Sequence, residues 1–420
     1  MLNQYKPISI SLSPNVQKDD VALVLKLLFQ PWKWKRGNTI KELENNFKKY
    51  LGVKYAFSFN SGRSSLFAIL KALNLTEGSE VLLQAFTCNA VPNPILWAGL
   101  SPMYVDCDKD FNIDIEEFKK KINYSLIRTN KRIVLIVQHT FGLPANMNEI
   151  MQLATENNII VIEDCAHALG AKYNNRYVGT FGDAAFFSFS RDKVISCVYG
   201  GMAVTNNDGI GKKLEMLQKQ FGQPSYFWIK QQLLHPILLH FFILPLYNFL
   251  DLGKIFLILS QWFHVLSKAV SWQEKRGLKP EYFPKALPNA LAVMALNQFS
   301  KLEKFNAHRK EIAEFYYKEL QNTAFDLPNK DGNIFLRFSL KHPRAHEIIY
   351  DAWHKENILL GDWYTTVIAP DDTKLDEMKY KMNDCPNAEN LAKKTLNLPT
   401  HINVSMEDAK RIANFLKKFL

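Results

Sequence analysis

The sequence predicts an α/β protein in which a mostly parallel sheet is covered by helices on both faces, followed by a smaller α+β domain. Short apolar segments alternate with helix-like segments through the first half of the chain, as in folds built from strand–helix–strand units. Two of these segments, 132–139 and 158–165, are almost wholly apolar, which is typical of strands buried on both faces. After residue 291 the pattern changes to a long amphipathic helix. We therefore expect a large domain over 1–290 and a small domain over 291–420.

The predicted strands of the large domain are short, and helix-like segments separate most of them. They lie at 54–60, 80–84, 102–108, 132–139 and 158–165, with two more around 186–190 and 201–205. Helices are expected at 64–73 and, broken by proline and asparagine, at 89–100. In sheets of this kind a ligand binds where strands end and loops begin, so the residues that follow the strands are the candidates for a functional site.

The small domain is predicted to combine helices with a strand. Its elements are the helix at 291–320, a strand at 332–340, a helix near 346–356 and a terminal helix at 405–420. The terminal helix begins with Ser405 and Asp408, which are spaced like a capping box with aspartate in place of the usual glutamate.

Composition and charge narrow the classes of function. Of the 420 residues, 47% are hydrophobic and 22% charged, as in a folded globular protein, and the net charge of +11 favours an anionic partner. No nucleic-acid-binding module or basic block interleaved with aromatic residues is present, so we expect no nucleic-acid partner. The five cysteines form no CxxC pair, so neither a disulfide scaffold nor a metal site is expected. Without an apolar signal segment at the N-terminus, we expect a reducing, cytoplasmic location.

One segment, 226–272, fits neither domain. It is dense in leucine, isoleucine, phenylalanine and tryptophan, and it has no Asp, Glu, Lys or Arg from Gln231 to Leu250. It is long enough to span a bilayer. Polar residues and prolines argue against a clean span, namely Gln231, Gln232, His235, Pro236, His240, Pro245 and Asn248.

Basic residues beside this apolar segment favour a different membrane contact. Lys230, Lys254, Lys268 and Lys275 flank or interrupt it, as in elements that lie in the membrane interface without crossing. The alternative is a helical hairpin that packs in the protein core or at a dimer interface. The sequence leaves peripheral membrane docking and protein packing open.

Two residue positions suggest covalent cofactor chemistry. Lys193 lies between two strand-like segments, and a desolvated lysine there can form a Schiff base with an aldehyde, although an ordinary loop lysine is the alternative. Asp164 ends a buried strand, where a carboxylate normally has a charged partner such as the protonated ring nitrogen of pyridoxal 5′-phosphate (PLP). A helix cap or salt bridge would explain Asp164 equally well. His167 is either a contact to the same ring or a structural histidine.

A possible phosphate site precedes both residues in the chain. The segment "NSGRSSL" (60–66) is a strand-to-helix turn, and backbone N–H groups at a helix N-terminus bind phosphate readily. The guanidinium of Arg63 and the hydroxyl of Ser188 are further candidates for phosphate contacts beside Gly62. A phosphate turn, a strand-end aspartate and then a lysine are the three features that a PLP site needs.

Longer stretches of the sequence resemble a known family. "QHTFGLPANMNEI" (138–150), "VIEDCAHALGA" (161–171), "GDAAFFSFSRDKVISCVYGGMAVTN" (182–206) and "CPNAENLAKKTLNLPTHINVSMEDAKRI" (385–412) are similar to motifs of the PLP-dependent sugar aminotransferases of the DegT/DnrJ/StrS type. The similarity runs nearly from end to end. It implies the fold-type I architecture of the aspartate aminotransferases.

The resemblance implies a role for each candidate residue. Lys193 would bind the cofactor covalently and shuttle protons, Asp164 would pair with the pyridine nitrogen, and His167 would lie against the ring. The phosphate would be held by Gly62, Arg63 and Ser188. The implied enzyme is a homodimer that transfers an amino group, with glutamate the expected donor, to a keto group of a nucleotide-activated sugar. Lysine at position 193 separates the chain from the dehydratase branch of the family, which has histidine there.

The chain departs from the family pattern in four places. Arg63 replaces a usual threonine, and Cys88 follows Thr87 where a ring-stacking aromatic is usual, with Phe86 as a candidate substitute. Tyr199 replaces a glutamate, and "PKA" (284–286) replaces the Asn-Tyr-Arg that reaches the partner subunit's cofactor in relatives, which leaves Lys285 as a candidate phosphate contact. The changes at Cys88, Tyr199 and 284–286 sustain a second hypothesis, a non-catalytic or regulatory membrane-associated member of the same fold.

Overall fold

A seven-stranded sheet forms the centre of the large domain. The structure is a computed structural model that describes residues 7–128, 132–247 and 249–419. The strands are β1 (Tyr55–Phe59), β2 (Glu80–Gln84), β3 (Ser101–Val105), β4 (Val134–Gln138), β5 (Ile160–Asp164), β6 (Ala184–Ser188) and β7 (Gly201–Thr205). Their order across the sheet is β1-β7-β6-β5-β4-β2-β3. Strand β7 runs antiparallel to both neighbours and every other pair is parallel, which confirms the predicted mostly parallel sheet.

The register of the sheet brings the predicted strand ends together. Gln138 at the end of β4 is opposite Asp164 at the end of β5, and Asp164 is in turn opposite Phe186 in β6. Every residue of β2 and of β4 is buried, because helices cover both faces. The carboxyl edge of these parallel strands is therefore the place where a site can form.

Seven helices of the large domain surround the sheet. They are α1 (Lys18–Leu28), α2 (Thr39–Leu51), α3 (Gly62–Ala72), α4 (Pro92–Trp97), α5 (Ile115–Arg128), α6 (Met147–Glu156) and α7 (Asp208–Phe221). Helix α3 begins two residues before the predicted start, because Ser61 caps it by accepting the N–H of Ser64 at 3.0 Å. The predicted proline-broken helix at 89–100 is the short helix α4.

The apolar segment 226–272 divides into a packed part and an exposed part. It contains α8 (Tyr226–Leu238), a π-helical turn (Leu239–Ile243) and α9 (Leu252–Trp262). Among the residues with described positions, no helix is long and apolar enough to cross a membrane. Trp228, Ile229, Leu233 and Ile237 of α8 belong to the main core of the large domain. Asn248 lies outside the described residues.

The remainder of this segment has many exposed apolar side chains. We call the following set the apolar face: Phe241, Phe242, Phe249, Leu250, Ile255, Ile258, Leu259, Trp262 and Phe263. Side chains of this size are normally buried, and a concentration of exposed ones indicates a contact surface. Packing in the core therefore explains the apolar side chains of α8, but it does not explain those of α9.

The small domain contains helices and a two-stranded antiparallel sheet. Its elements are α11 (Leu302–Leu320), β8 (Phe338–Lys341), α12 (Ala345–Glu356), α13 (Pro386–Lys394), β9 (Thr395–Leu398), which pairs with β8, and α14 (Met406–Leu416). The predicted capping box of α14 is present, since Ser405 Oγ accepts the Asp408 N–H at 3.1 Å and Asp408 Oδ2 accepts the Ser405 N–H at 3.0 Å.

The prediction of one long helix at 291–320 is wrong in one respect, because this range contains two helices. Helix α10 (Asn289–Phe299) ends before α11 begins. Leu291, Met294 and Ala295 of α10 lie in the same core cluster as the large-domain helices. The domain boundary at residue 290 stays a prediction.

A short parallel strand pair ties the two domains together beside the carboxyl edge of the sheet. Thr87–Cys88 pairs with Ile368–Ala369 of the small domain. The Thr87 N–H donates to Val367 O at 2.9 Å, and the Asn89 N–H donates to Ala369 O at 2.8 Å. This pairing holds the segment around residues 363–364 near the strand ends.

Candidate active site

One cavity brings together all six residues singled out from the sequence. It has a volume of about 130 Å³, and its walls include Gly62, Arg63, Asp164, His167, Ser188 and Lys193. Trp363 and Tyr364 of the small domain complete the lining, together with Cys88 and Gln138. A larger cavity of about 830 Å³, between the N-terminal segment and residues 401–411, shares none of these residues.

Lys193 is half-buried in this cavity, and its Nζ lies 4.6 Å from the centre of the Trp363 ring. Burial lowers the pKa of the amine to about 8; Cys88 and Asp164 oppose this shift, while Arg337 adds to it. A neutral amine is the nucleophilic form of lysine, so this environment favours reaction with an aldehyde. Asn15 Nδ2 donates to Lys193 O at 2.7 Å and anchors the loop that carries the amine.

Asp164 is a buried carboxylate with space for a cationic partner. Burial raises its pKa to about 6, against the lowering effects of the Ala166 N–H, which donates to Oδ1 at 2.9 Å, and of Lys193. A carboxylate held in such a place gains from an adjacent positive charge. A protonated pyridine nitrogen supplies that charge, so Asp164 fits the role implied by the sequence.

Glu163 and His139, which lie next to this site, are hydrogen-bonded to each other and to backbone groups. His139 Nε2 lies 3.1 Å from Glu163 Oε2, and Glu163 also accepts N–H groups from Gly179 and Phe181. Cys165 lies close enough to complete a three-residue group with metal-binding atoms. Because Glu163 is saturated with internal donors, this group acts as a brace for the loop that follows β5.

His167 presents a flat, neutral surface to the cavity. Its ring is nearly parallel to that of Phe141, with centroids 5.9 Å apart and an interplanar angle of 8°. The Trp363 ring lies 5.3 Å away at 21°. Burial lowers the pKa of the imidazole well below its usual value, with Lys193 and Arg337 contributing in the same direction. Nδ1 accepts the Phe141 N–H at 3.3 Å, so the ring proton is on Nε2. A neutral planar ring is suited to contact an aromatic cofactor.

The start of α3 forms a cradle for an anion. A Cβ added to Gly62 would lie 3.0 Å from Ser188 Cβ, and a Cβ added to Gly201 would lie 2.5 Å from Ser61 C. Glycine at both positions lets β6 and β7 approach the helix N-terminus, which directs backbone N–H groups outward. The Ser188 hydroxyl stands beside this end, so the cradle suits a phosphate group.

The Arg63 side chain has an internal partner that the sequence did not reveal. Its guanidinium forms an ion pair with Glu274, which is fully buried, and its Nη2 donates to Ala269 O at 2.9 Å. The role of Arg63 as a phosphate ligand stays a prediction, since Glu274 competes for the same charge. No local pattern links two residues so far apart in the chain.

Two of the substitutes considered from the sequence lie away from the cavity walls. Phe86 is fully buried and stacks on Phe111, with ring centroids 5.2 Å apart, so it does not replace the missing ring-stacking aromatic. Cys88 lines the cavity at that position. Lys285 is not among the residues that line the cavity. Trp363 and Tyr364 were missed, because the segment "GDWYT" (361–365) has no helix or strand periodicity.

A mostly parallel sheet with a lysine amine, a buried carboxylate and a phosphate cradle at its carboxyl edge defines a fold-type I PLP-dependent transferase. Residues 14–232 and 272–417 match the DegT/DnrJ/EryC1/StrS aminotransferase family. The chain belongs to this family and is a PLP-dependent aminotransferase. The stretch 233–271, which contains most of the apolar segment, lies outside the match.

Known proteins similar to the chain support this assignment. GDP-perosamine synthase of Vibrio cholerae is 26% identical over 401 residues, which is 92% of each chain. The enzyme of the same name from Escherichia coli O157:H7 is 37% identical over 195 residues, 46% of this chain and 52% of that protein. The structure of Helicobacter pylori PseC, an aminotransferase involved in pseudoaminic acid biosynthesis, superposes with a TM-score of 0.75 at 21% identity, covering 98% of this chain and 99% of that one.

Proposed function

We propose that the protein transfers an amino group from glutamate to a keto group of a nucleotide-activated sugar, in the synthesis of an amino sugar for a surface glycan. The observation that carries this proposal is the cavity itself, in which Lys193, Asp164 and the α3 cradle meet. Relatives named as sugar-nucleotide aminotransferases favour this substrate class. The positive net charge of +11 suits a nucleotide diphosphate.

The residues of the cavity divide the chemical work among them. PLP, when bound, supplies an electron sink that stabilises negative charge on the reacting carbon. Lys193 Nζ, with a pKa of about 8, is suited to take a proton from substrate and return it to another atom. Asp164 would hold a proton at the ring nitrogen of the bound cofactor, and His167 would orient its ring. The Trp363 ring, whose centre lies 4.6 Å from Nζ, would cover one side of the amine.

The two half-reactions of amino transfer can be tested separately. Glutamate added to the purified PLP-bound protein is expected to convert the visible spectrum to that of the pyridoxamine form. A keto sugar nucleotide should then restore the original spectrum, and a panel of such compounds identifies the preferred one. If no amino donor changes the spectrum although PLP is bound, the protein is the non-catalytic member of the fold considered above.

Cofactor uptake by the apoprotein is expected to depend on pH through Lys193. Only the neutral amine attacks an aldehyde. Because burial lowers the pKa from 10.5 to about 8, the uptake rate should rise about tenfold per pH unit below that value and level off above it. Stopped-flow absorbance measures the rate. A rise that continues unchanged toward pH 10.5 would show that Lys193 has an ordinary pKa.

We propose further that the apolar face of 226–272 docks on an anionic bilayer at the cytoplasmic side of a membrane. Its exposed side chains are concentrated on α9 and the adjoining turns, outside the part of the chain that matches the family. Exposed Lys230 and Lys268 lie near the two ends of the segment and suit anionic headgroups. Docking there would place the enzyme close to membrane-bound glycan intermediates.

Vesicle flotation tests the docking. The wild-type protein should float with phosphatidylserine-containing vesicles. The double variant Ile258→Glu, Trp262→Glu should bind at least about tenfold more weakly, because it lacks two exposed apolar side chains that docking would bury in the bilayer. Met216→Glu is the control, since Met216 is equally exposed on α7 but lies outside the apolar face. If the double variant floats normally, the docking proposal is wrong; if it instead dissociates an oligomer that never floats, the face is a protein interface.

We also propose that the protein is a homodimer. Phe29 and Trp32, in the turn after α1, are 79% and 69% exposed and lie outside the apolar segment. Sedimentation velocity should show a dimer, and Trp32→Glu should shift it toward monomer. A wild-type monomer at micromolar concentration would contradict the proposal.

A further inference from the structure

The end of the apolar segment forms one wall of the cofactor cavity. Ala269 and Val270 line the cavity opposite the strand ends. We call residues 267–274 the strap. Its first five residues, 267–271, lie in the stretch outside the family match.

Three side chains from the cavity hold the backbone of the strap. Arg191 Nη2 donates to Ser267 O at 2.7 Å and to Ser267 Oγ at 2.8 Å. Tyr199 Oη donates to Lys268 O, and Arg63 Nη2 donates to Ala269 O at 2.9 Å. Successive carbonyl groups of the strap therefore each have a donor from the cavity wall.

The far end of the strap is fixed by Glu274. This carboxylate pairs with Arg63 and accepts the Ser271 N–H at 2.8 Å, while Glu274 O accepts Asn93 Nδ2 at 2.9 Å. Glu274 is fully buried, and a buried carboxylate is stable only when it is paired in this way. Arg63 thus serves both the carboxylate and the backbone of the strap.

Two of these holding residues are also positions where the chain departs from the family pattern. Arg63 replaces threonine and Tyr199 replaces glutamate, yet both side chains meet on the same eight residues. Tyr199 is 2% exposed and packs against Trp228 of α8 at 5.5 Å, so it also contacts the start of the apolar segment.

We propose that Arg63, Arg191 and Tyr199 are positioning residues that hold the strap closed over the phosphate end of the cofactor cavity, and that the strap sets the rate at which PLP leaves. The proposal rests on PLP binding in this cavity. Ala269 and Val270 of the strap line the same cavity as the start of α3, so opening of these hydrogen bonds would free a path for the cofactor once its bond to Lys193 is hydrolysed. Retention is then a property of the apolar segment as well as of the cradle.

The test uses the PLP-bound protein and the variant Tyr199→Phe, which removes one hydroxyl and retains the ring. PLP release, followed by absorbance in the presence of a trap for free cofactor, should be about tenfold faster than in the wild type, as expected for a lost hydrogen bond. Tyr226→Phe is the matched control, because Tyr226 is exposed on α8 and its hydroxyl does not contact the strap. It should release PLP at the wild-type rate.

Trypsin cleavage after the exposed Lys268 gives a second readout that needs no cofactor. Cleavage should be faster in Tyr199→Phe and in Ser267→Ala, which removes an acceptor of Arg191, and unchanged in Tyr226→Phe. Wild-type rates of both release and cleavage in the two strap variants would overturn the proposal. If the protein binds no PLP, the proposed function fails, but the cleavage assay still tests the strap.

Discussion

The variant Lys193→Ala is expected to abolish aminotransfer and the visible absorption band of the lysine-bound cofactor. The amine is both the covalent attachment point and the group that moves protons, so activity should fall by about 10⁴-fold, the upper end of the range for general acid–base catalysis. Spectra and steady-state rates of the purified protein measure the two effects. Among the residues that the structure describes, no other lysine lines the cavity, so no neighbouring amine is placed to substitute.

Lys230→Ala is the matched control for this experiment. Lys230 is an exposed lysine of α8 that does not line the cavity, and its loss should leave both the band and the rate unchanged. Persistence of the band in Lys193→Ala would mean that the cofactor is attached elsewhere, and it would remove the basis of the assigned site.

The variant Asp164→Asn is expected to have opposite effects on catalysis and on the stability of the apoprotein. Without the carboxylate the ring nitrogen loses its charged partner, and kcat should fall by about 10³-fold, which corresponds to about 4 kcal/mol for a broken buried ion pair. Asp164→Glu keeps the charge and should recover part of the loss. A kcat within tenfold of the wild type in Asp164→Asn would show that the ring nitrogen has no charged partner at this position.

The stability effect follows from the raised pKa. Folding raises the pKa of Asp164 from 3.8 to about 6, so the folded apoprotein binds more protons than the unfolded chain between these values and loses stability as pH rises through this range. At pH 7 the full cost is present, about 3 kcal/mol. The apoprotein of Asp164→Asn should therefore unfold at a higher temperature than the wild type at pH 7, and the difference should vanish at about pH 3, below both pKa values. Thermal unfolding at the two pH values measures it.

The sequence was sufficient to predict the sheet and the six residues that line its edge. Asp164 ends a strand, Gly62 and Lys193 follow strands, and the carboxyl ends of parallel strands meet at one edge of the sheet. Trp363 and Tyr364 could not be placed in this way, because their position depends on the pairing of Thr87–Cys88 with Ile368–Ala369. That pairing joins segments far apart in the chain and has no periodic signal.

Two other features could not be read from the residues for physical reasons. The ion pair of Arg63 with Glu274 joins two charges that are far apart in the chain, and no local pattern of the sequence links them. The apolar composition of 226–272 does not distinguish a side chain buried by its own chain from one left for a partner. Trp228 and Trp262 have the same chemistry, yet the first is 6% exposed and the second 70%.

The short strand pair between Thr87–Cys88 and Ile368–Ala369 limits the motion of the small domain relative to the large one. Swinging the small domain away would break main-chain hydrogen bonds on either side of Cys88, within the rim of the cavity. We therefore expect Trp363 and Tyr364 to remain stationary through the catalytic cycle. A sugar nucleotide would then enter through an opening of constant shape. The hinge motion that closes many two-domain enzymes around their substrate would not occur in this one.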